Sequence, residues 1–331
     1  MNTKPNLSII IVTWNNKEDI TPCIKSIEKQ CCFAEVIVVD NASTDGTCEA
    51  IKMDFPWIKL IELSENLGFP KANNIGINIS RGEYILLLNP DTIIPGGNLN
   101  TMYELMENHR DIGVSTCIIK YPTGRIQFEA GRRFYSLIDF LFTAIYLNVL
   151  FPNTCLNYQL IGNWDHKSSR SVDCISGAYM FIRKNVLEQI GILDETFFMY
   201  FEDVDLCYRV RQAEWKIWYE SSTYIIHSGG SSRKKSKIDF SNNRVDVPYF
   251  FFVKHYGKNK NLFFKYVFIF HIVTRLAIAL ILYLPGYFLH NLRETTNLFN
   301  YKLYKKMLIY AFKVYTKNPP TRIYKLDKNS S

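Results

Sequence analysis

Four short apolar runs near the start of the chain constrain its fold more than any other feature. They are rich in β-branched residues, and each is long enough for a strand but too short for a helix. A run that is apolar throughout, rather than at every second position, predicts a strand buried on both faces. The four runs are residues 7–13, 36–39, 58–61 and 84–88.

Helical segments separate these runs. We predict helices over residues 18–29 and 70–79, and another that begins at Asp45-Gly46-Thr47. Strands and helices that alternate at this spacing form a parallel sheet covered by helices. The predicted fold class is therefore α/β, a Rossmann-like, mostly parallel sheet flanked by helices.

The second half of the chain is less regular. One strand is predicted over residues 172–182, with a kink at Gly177-Ala178, where small residues let a ligand or another backbone approach closely. Helices at 184–190 and 207–213 and strands at 215–219 and 223–226 follow.

Polar residues come directly after each of the first four runs. In open α/β sheets the ligand lies beyond the carboxyl ends of the strands, so we predict the binding site at this edge. Loops are polar in any protein, and no single segment among these is specific. The segments are Thr13-Trp14-Asn15, Asp40-Asn41-Ala42-Ser43, Glu65-Asn66-Leu67-Gly68-Phe69 and Asn89-Pro90-Asp91.

The two commonest phosphate-binding loops are missing from the sequence. No GxGxxG follows the first run and no GxxxxGK[ST] occurs, which argues against a dinucleotide oxidoreductase and a P-loop enzyme. A divalent cation held by a carboxylate can bind phosphate instead, and Asp91 lies at the end of a predicted strand where it can offer oxygen to such a cation. Alternatively, Asp91 caps a helix near Pro95.

Three carboxylates lie together in the segment Glu202-Asp203-Val204-Asp205, directly after the aromatic run 197–201. Carboxylates this close repel one another, and aromatic neighbours desolvate them, so at least one should have a raised pKa. Asp203 is the candidate general base. The alternative is that Asp203 caps the following helix, and for Asp205 we favour a helical ion pair with Arg209.

His227 ends a predicted strand and precedes a glycine-rich loop. Imidazole in this position can bind a metal or donate to a diphosphate, although a lone histidine is more often an ordinary polar residue. The basic residues of segment 231–237 follow it. They either close over an anionic ligand or are simply solvated.

Charge is distributed unevenly along the 331 residues. Residues 255–331 carry 13 of the 39 lysines and arginines but only two of the 31 acids, so the tail faces an anionic partner and the main body does not bind nucleic acid. Within this tail, the aromatic and apolar segment 262–289 is interrupted by Lys265, His271 and Arg275. It predicts an in-plane or re-entrant helix on an anionic membrane surface, or alternatively a buried core helix with a basic solvent face.

The eight cysteines form no CxxC pair and do not suggest the framework of a small secreted protein. Reduced thiols and no zinc are expected. The first residues lack a signal-peptide pattern, so we expect the body of the protein to stay in the cytoplasm.

Seven motifs in order carry a resemblance to a known family. They are VTWNN, VVDNASTDGT, ENLGFPKANNIGI, LLLNPD, SGAYMFIR, FFMYFEDVDLCYR and IHSGGS, and they span about residues 7–232. The chain resembles the family 2 glycosyltransferases with a GT-A fold, in the rhamnosyltransferase-like branch that builds cell-surface glycans. The resemblance implies an inverting transferase, to which we assign a domain over residues 1–240. The composition of the tail predicts a helical membrane-associating region over 241–331, at the cytoplasmic face of the membrane.

The resemblance also implies roles for individual residues. Asp203 would be the catalytic base with Glu202 beside it, Gly177 and Ala178 would face the acceptor, and Asp91 and His227 would hold Mg²⁺ or Mn²⁺. Asn89 stands where the family's DxD motif has its first acid. The residues implied for the nucleotide-sugar pocket are Thr13, Asn15, Asp40, Asn41, Asn66, Gly68, Phe69, Lys71, Asn74, Asn89 and Asp91.

The implied partners are a nucleotide-sugar donor, a lipid-linked or polysaccharide acceptor and the membrane surface. One alternative is a non-catalytic subunit that binds a nucleotide sugar and has lost its metal through Asn89. A nucleotidyltransferase is a further alternative, but this sequence lacks the Gly- and Arg-rich phosphate loop that nucleotidyl transfer needs.

Overall fold

A computed structural model describes residues 6–30, 34–134, 136–157, 160–229, 243–257, 261–288 and 308–309. The chain divides into two compact units. The first comprises residues 1–134 and 164–238, and the second comprises residues 135–163 and 239–331. In the described ranges the first unit is α/β and the second is helical. No sequence pattern assigns residues 135–163 to the second unit.

A nine-stranded sheet forms the centre of the first unit, in the order β3-β2-β1-β4-β10-β6-β11-β5, with β8 beside β11. The strands are β1 Leu7–Thr13, β2 Ala34–Asp40, β3 Lys59–Glu62, β4 Tyr84–Leu88, β5 Thr92–Ile93, β6 Ile112–Lys120, β8 Arg170–Ser171, β10 Tyr179–Arg183 and β11 Lys216–His227. Strands β1 to β4 are parallel to one another, as the alternating pattern predicts. A two-stranded sheet pairs β7 Gly131–Arg132 with β9 Cys174–Ile175.

Helices connect and cover the strands. In this unit they are α1 Lys17–Glu28, α2 Thr47–Asp54, α3 Phe69–Ile79, α4 Asn98–Asn108, α7 Lys184–Ile190 and α8 Glu202–Gln212, with a 3₁₀ turn at Phe128–Ala130. Helix α1 buries Ile20, Cys23, Ile24 and Ile27, the spacing of one helical face. Every residue of β1 and β4 is buried, which confirms two-sided burial for these strands. Two-sided burial is wrong for β3, an edge strand whose residues are exposed or half-buried.

The structure departs from the sequence prediction in three places. The strand predicted at 172–182 is wrong: it is two short strands separated at Gly177-Ala178, and β10 runs antiparallel to β4 and β6. Residues 215–219 and 223–226 are not two strands, because a bulge between Glu220 and Tyr224 lets β11 continue. Asp91 does not cap a helix, since α4 begins only at Asn98 and has Gly97 at its N-cap.

The second unit contains α5 Leu137–Ala144, α6 Leu147–Leu150, α9 Asn243–Tyr256 and α10 Asn261–Phe288. Phe252 of α9 packs against Phe264 and Phe268 of α10. The Arg275 Nε donates to the Thr143 carbonyl at 2.8 Å, joining α10 to α5.

The helix α10 continues through Pro285. Within the described ranges, no helix combines the length and hydropathy that a membrane crossing requires. The predictions for segments 231–237 and 289–307 and for the tail after 309 lie outside the described residues.

Candidate functional site

The first part of the site lies where β1 and β2 end side by side. Parallel register pairs Thr13 with Asp40, and the Ser43 amide donates to Asp40 Oδ2 at 2.8 Å. Asp40 Oδ1 and Thr13 Oγ1 are buried and have no hydrogen-bond partner in the described part of the chain. Because buried polar atoms are nearly always paired, these two atoms indicate a position that a ligand completes.

Asparagine side chains hold the loops around this position. Asn15, in a left-handed conformation with φ 54°, accepts from the Thr44 amide at 2.8 Å through Oδ1. The Asn41 amide group donates to Asn66 Oδ1 at 2.8 Å and accepts from the Leu67 amide at 2.8 Å. Three loops that are remote in sequence therefore form one hydrogen-bonded rim.

Gly68 brings the acidic segment next to this rim. Its φ is +87°, and a Cβ placed there would lie 2.7 Å from the Phe198 carbonyl oxygen. The adjacent Phe69 amide donates to that same carbonyl at 2.8 Å. Only glycine fits both the backbone conformation and the close approach.

Three other residues of the predicted nucleotide pocket lie on α3. Phe69 packs against a core cluster that includes Val12 and Ala72, and Lys71 is half-buried. The buried Asn74 amide is engaged with Leu193, donating to its carbonyl at 2.8 Å and accepting from its amide at 3.1 Å. The structure thus brings Asn74 to the loop after α7 rather than to the Thr13–Asp40 position.

Asp91 and His227 meet because the strands that carry them pair. Thr92 of β5 lies opposite His227 of β11, which leaves Asp91 Oδ1 3.2 Å from His227 Nε2. The Asn89 amide nitrogen lies 3.3 Å from the same Nε2. Both Asp91 and His227 are largely buried.

A divalent cation fits this donor set. The described residues contain no cluster of three His, Cys, Asp or Glu side chains that could hold a metal ion by itself. The protein ligands offered at this position are the Asp91 carboxylate and the His227 imidazole. Mg²⁺ commonly takes one or two protein ligands and completes its shell with water and substrate phosphates, and imidazole and carboxylate both suit Mn²⁺. The residues therefore fit a cation shared with a diphosphate.

Gln127 also contacts His227, and the sequence analysis did not identify it. Its Nε2 donates to the His227 carbonyl at 2.6 Å, and its Oε1 lies 3.0 Å from His227 Nδ1. Gln127 comes from an irregular segment 100 residues away, so no spacing or motif could have linked the two.

Asp203 lies at the start of α8, which begins at Glu202. Asp203 is therefore not the N-cap residue, which is Phe201. Its Oδ1 nevertheless accepts from the Val204 amide in the first turn of the helix at 2.8 Å. Asp203 Oδ2 accepts from Arg132 Nη2 at 3.1 Å and from the Gly177 amide at 3.2 Å. Arg132 is a second residue that the sequence analysis missed, from the same irregular region as Gln127.

Glu202 is the carboxyl group whose pKa is displaced. Burial and then the neighbouring Asp203 charge raise the pKa of Glu202 to about 8. Its Oε2 is buried and has no hydrogen-bond partner among the described residues. The prediction that at least one carboxylate of the cluster has a raised pKa is confirmed at Glu202, so one carboxyl of the pair is neutral at neutral pH.

Asp205 has the structural role that the sequence analysis favoured. It is fully buried and accepts from Arg209 Nε at 2.9 Å, one helical turn along α8. Arg209 also donates to the carbonyls of Ile190, Gly191 and Ile192. This confirmed ion pair holds α8 against the end of α7.

A short path of contacts joins the base and the cation pair. The Gly177 amide donates to Asp203, and the adjacent Ala178 carbonyl accepts from the Asn89 amide at 3.0 Å. Asn89 in turn touches His227. Because β4 neighbours β1 and β1 neighbours β2, Asn89 lies about one strand spacing, or about 5 Å, from Thr13 and about two, or about 10 Å, from Asp40.

Comparison with other sequences identifies named glycosyltransferases as relatives of this chain. The N-acetylglucosaminyl-diphospho-decaprenol L-rhamnosyltransferase of Mycobacterium tuberculosis is 28% identical over 204 residues, 58% of this chain and 66% of that protein. The low-salt glycan biosynthesis hexosyltransferase Agl10 of Haloferax volcanii is 31% identical over 230 residues, 67% of each chain. Rhamnosyltransferase WbbL of Escherichia coli is 25% identical over 226 residues, 66% of this chain and 82% of its own. The match to the mycobacterial relative thus leaves about a third of that protein uncovered.

Solved structures share the fold at low sequence identity. A mannosyltransferase from Pyrobaculum calidifontis, solved with GDP-Man and Mn²⁺, superposes with a TM-score of 0.55 at 15% identity, over 94% of this chain and 86% of that one. GalNAc-T7, solved with UDP, GalNAc and Mn²⁺, gives 0.52 at 15% identity, over 67% and 43%. The fold is therefore the GT-A fold of glycosyltransferases.

Residues 8–191, more than half of the chain, match the family described as Glycosyl transferase family 2. That range contains the Thr13–Asp40 position, the Asn89–Asp91 segment and the Gly177 amide that meets Asp203. The chain belongs to glycosyl transferase family 2.

Proposed function

We propose that this chain is an inverting glycosyltransferase. It transfers one sugar, rhamnose or another deoxysugar, from a nucleotide-diphosphate donor to a lipid-linked or polysaccharide acceptor in cell-surface glycan synthesis. The observation that carries the proposal is the contact path from Asp203 through Gly177 and Asn89 to His227 and Asp91. This path supports the proposal because it links a carboxylate that can act as a base to a carboxylate and imidazole pair suited to a diphosphate-bound cation.

The Asp203 carboxylate accepts the proton of the acceptor hydroxyl while that oxygen attacks the anomeric carbon. The bond from this carbon to the diphosphate oxygen breaks in the same displacement, so the configuration inverts. Arg132 and the Gly177 amide fix the orientation of Asp203. Glu202, with its pKa near 8, is largely protonated at neutral pH and is a poor second nucleophile. Small residues at Gly177 and Ala178 leave room for the acceptor.

Asp40 Oδ1 and Thr13 Oγ1 bind the nucleotide base. A carboxylate oxygen can only accept, so the base presents an N–H group to Asp40. The loops held by Asn15, Asn41 and Asn66 form the walls of this pocket. Asp91 and His227 would hold Mg²⁺ or Mn²⁺, and the bound cation would offset the charge of the departing diphosphate.

The relatives support the choice of substrates. Two of the three compared relatives are rhamnosyltransferases by name, and the mycobacterial one is named for a diphospho-decaprenol acceptor. A lipid-linked acceptor lies at a membrane surface, which matches a basic carboxyl-terminal region. We therefore propose peripheral or in-plane association of residues 241–331 with the cytoplasmic face of the membrane, and a transferase domain over residues 1–240.

The outer face of α10 suits such association. Its exposed aromatic and aliphatic residues recur at intervals of three, four and three, which puts them on one stripe. The stripe consists of Phe263, Tyr266, Phe270 and Val273. Large exposed apolar side chains on one helical face are a feature of helices that lie in a membrane interface.

Donor hydrolysis tests the proposal. Purified protein is incubated with a panel of nucleotide sugars, with and without Mg²⁺ or Mn²⁺, and we expect slow turnover of one donor that requires the cation. Asp203→Asn should keep donor binding and lose transfer to an acceptor.

The rival function, a non-catalytic nucleotide-sugar-binding subunit, draws support from one observation: Asn89 replaces an acid and contacts His227 Nε2. Donor binding without turnover of any donor would favour that rival.

A further inference from the structure

We propose that Gln127 is a positioning residue that sets the tautomer of His227 and so directs the Nε2 lone pair toward the divalent cation. The inference rests on the proposed function, in which His227 and Asp91 hold that cation. It concerns a residue on a different segment, outside every motif of the sequence.

The orientation of the Gln127 amide follows from its two contacts. The His227 carbonyl oxygen can only accept a hydrogen bond, so the Gln127 atom 2.6 Å from it must be the amide nitrogen. The amide oxygen then lies 3.0 Å from His227 Nδ1. An oxygen at this distance can only accept, which requires Nδ1 to carry a proton.

With the proton on Nδ1, the neutral ring has its lone pair on Nε2. This nitrogen faces Asp91 Oδ1 at 3.2 Å and the Asn89 amide nitrogen at 3.3 Å. The Asn89 amide nitrogen can only donate, which fits a lone pair on Nε2. The opposite tautomer would point an N–H at the cation position and leave Nδ1 facing the Gln127 oxygen without a proton.

Gln127 is itself held firmly. It is buried, its backbone amide donates to the Ile119 carbonyl at the end of β6 at 2.8 Å, and its carbonyl accepts from Ala130 at 3.1 Å. Groups that fix the second ring nitrogen of a metal-binding histidine typically change metal affinity 10- to 100-fold when removed. Gln127 has the geometry of such a group.

The tautomer can be measured in the unaltered protein. Long-range ¹⁵N–¹H spectra of the full chain with labelled histidine distinguish a protonated Nδ1 from a protonated Nε2, and His227→Gln identifies the His227 signals by their loss. We expect the Nδ1–H pattern without added metal. An Nε2–H pattern in the neutral ring would overturn the proposal whether or not any variant folds.

Two variants distinguish the effect of Gln127 on the His227 tautomer from its hydrogen bond to the His227 carbonyl. Gln127→Leu removes both contacts, whereas Gln127→Glu keeps an acceptor for Nδ1 and loses the donor to the His227 carbonyl. We expect Gln127→Leu to weaken Mn²⁺ binding about tenfold or more and to lose the Nδ1–H pattern. Gln127→Glu should keep that pattern and bind Mn²⁺ within a few-fold of the unaltered protein, even if it unfolds at a lower temperature.

Equal weakening by both variants would show that Gln127 acts only through the backbone carbonyl, and would overturn the tautomer role. Mn²⁺ alone is the probe, measured by the signal of free Mn²⁺ in electron paramagnetic resonance. If the unaltered protein binds no Mn²⁺, the cation in the proposed function fails, and this inference fails with it. Turnover of a donor together with an Nε2–H ring would refute the inference alone.

Discussion

The protonation of Glu202 should make the free energy of unfolding depend on pH. Its pKa is raised from 4.5 to about 8 in the folded protein, so between these values the folded state holds a proton that the unfolded state releases. Stability therefore falls as pH rises through this window, by at most about 1.4 kcal/mol for each pH unit from this group. Below about pH 4.5 both states are protonated and the effect vanishes.

Replacing Glu202 by Gln keeps a neutral side chain of the same shape. The variant should be as stable as the unaltered protein near pH 5 and more stable near pH 8, as measured by thermal unfolding across this range. Glu104→Gln, at an exposed site on α4, is the control and should leave the pH dependence unchanged. Parallel curves for Glu202→Gln and the unaltered protein would contradict the displaced pKa.

Thr13 offers a test in which stability and binding respond differently. Its hydroxyl is buried without a partner among the described residues, so Thr13→Val removes a desolvated polar group and should leave the melting temperature equal or higher. Binding of the donor nucleotide should weaken by about 1 kcal/mol or more, because the ligand loses its hydrogen bond. Calorimetric titration with the nucleoside diphosphate measures this change.

Thr116→Val is the matched control for that experiment. The Thr116 hydroxyl is equally buried but donates to the Tyr179 carbonyl at 2.9 Å. Its removal should lower the melting temperature and leave nucleotide affinity unchanged. A drop in stability for Thr13→Val of the same size would mean that its hydroxyl already has a partner.

At the scale of elements, the loop before α3 and the segment before α8 are joined at Gly68. A methyl group there meets the Phe198 carbonyl and ring, in addition to the strain of a positive φ. Gly97 has nearly the same φ, +83°, and open space around it. Gly97→Ala should therefore lower the free energy of unfolding only by the strain of a positive φ, about 1–2 kcal/mol.

Gly68→Ala should cost measurably more than Gly97→Ala in denaturant unfolding, and the difference reports the contact between the two loops. Donor binding should weaken only in the Gly68 variant, because this loop borders both the nucleotide rim and the acidic segment. Equal costs for the two variants would mean that the loops separate easily.

At the scale of the whole molecule, the uneven charge and the exposed stripe of α10 predict binding to anionic lipid. The double variant Tyr266→Ser, Phe270→Ser should reduce co-flotation of the full chain with anionic vesicles by about tenfold, because it removes two large apolar contacts. Binding of the unaltered protein should also fall with added salt.

Met53→Ser is the control for the lipid experiment, since Met53 is 78% exposed but lies on α2 of the first unit. It should float as the unaltered protein does. Unchanged flotation of the α10 double variant would contradict the proposal that this stripe contacts the membrane. Equal binding to neutral and anionic vesicles would show that the basic charge of the carboxyl-terminal region does not contribute to membrane binding.

Residues 7–88 are the part of the fold that could be predicted from sequence patterns. Strands β1 to β4 and the helices between them follow from runs of apolar residues whose length and period match one kind of element. Parallel order then places Thr13, Asp40 and Asn89 at one edge without any knowledge of contacts. The Asp205–Arg209 pair was equally predictable, because four residues along a helix are always neighbours.

The way in which the second half of the chain completes the site follows from long-range packing and could not be predicted from the sequence. The antiparallel β10 enters between β4 and β6, and β11 carries His227 to Asp91 across 136 positions of sequence. Gln127 and Arg132 come from segments with no period, and their partners are set by long-range packing. Local patterns encode elements, whereas contacts between remote irregular segments arise only when the whole chain has folded around its core.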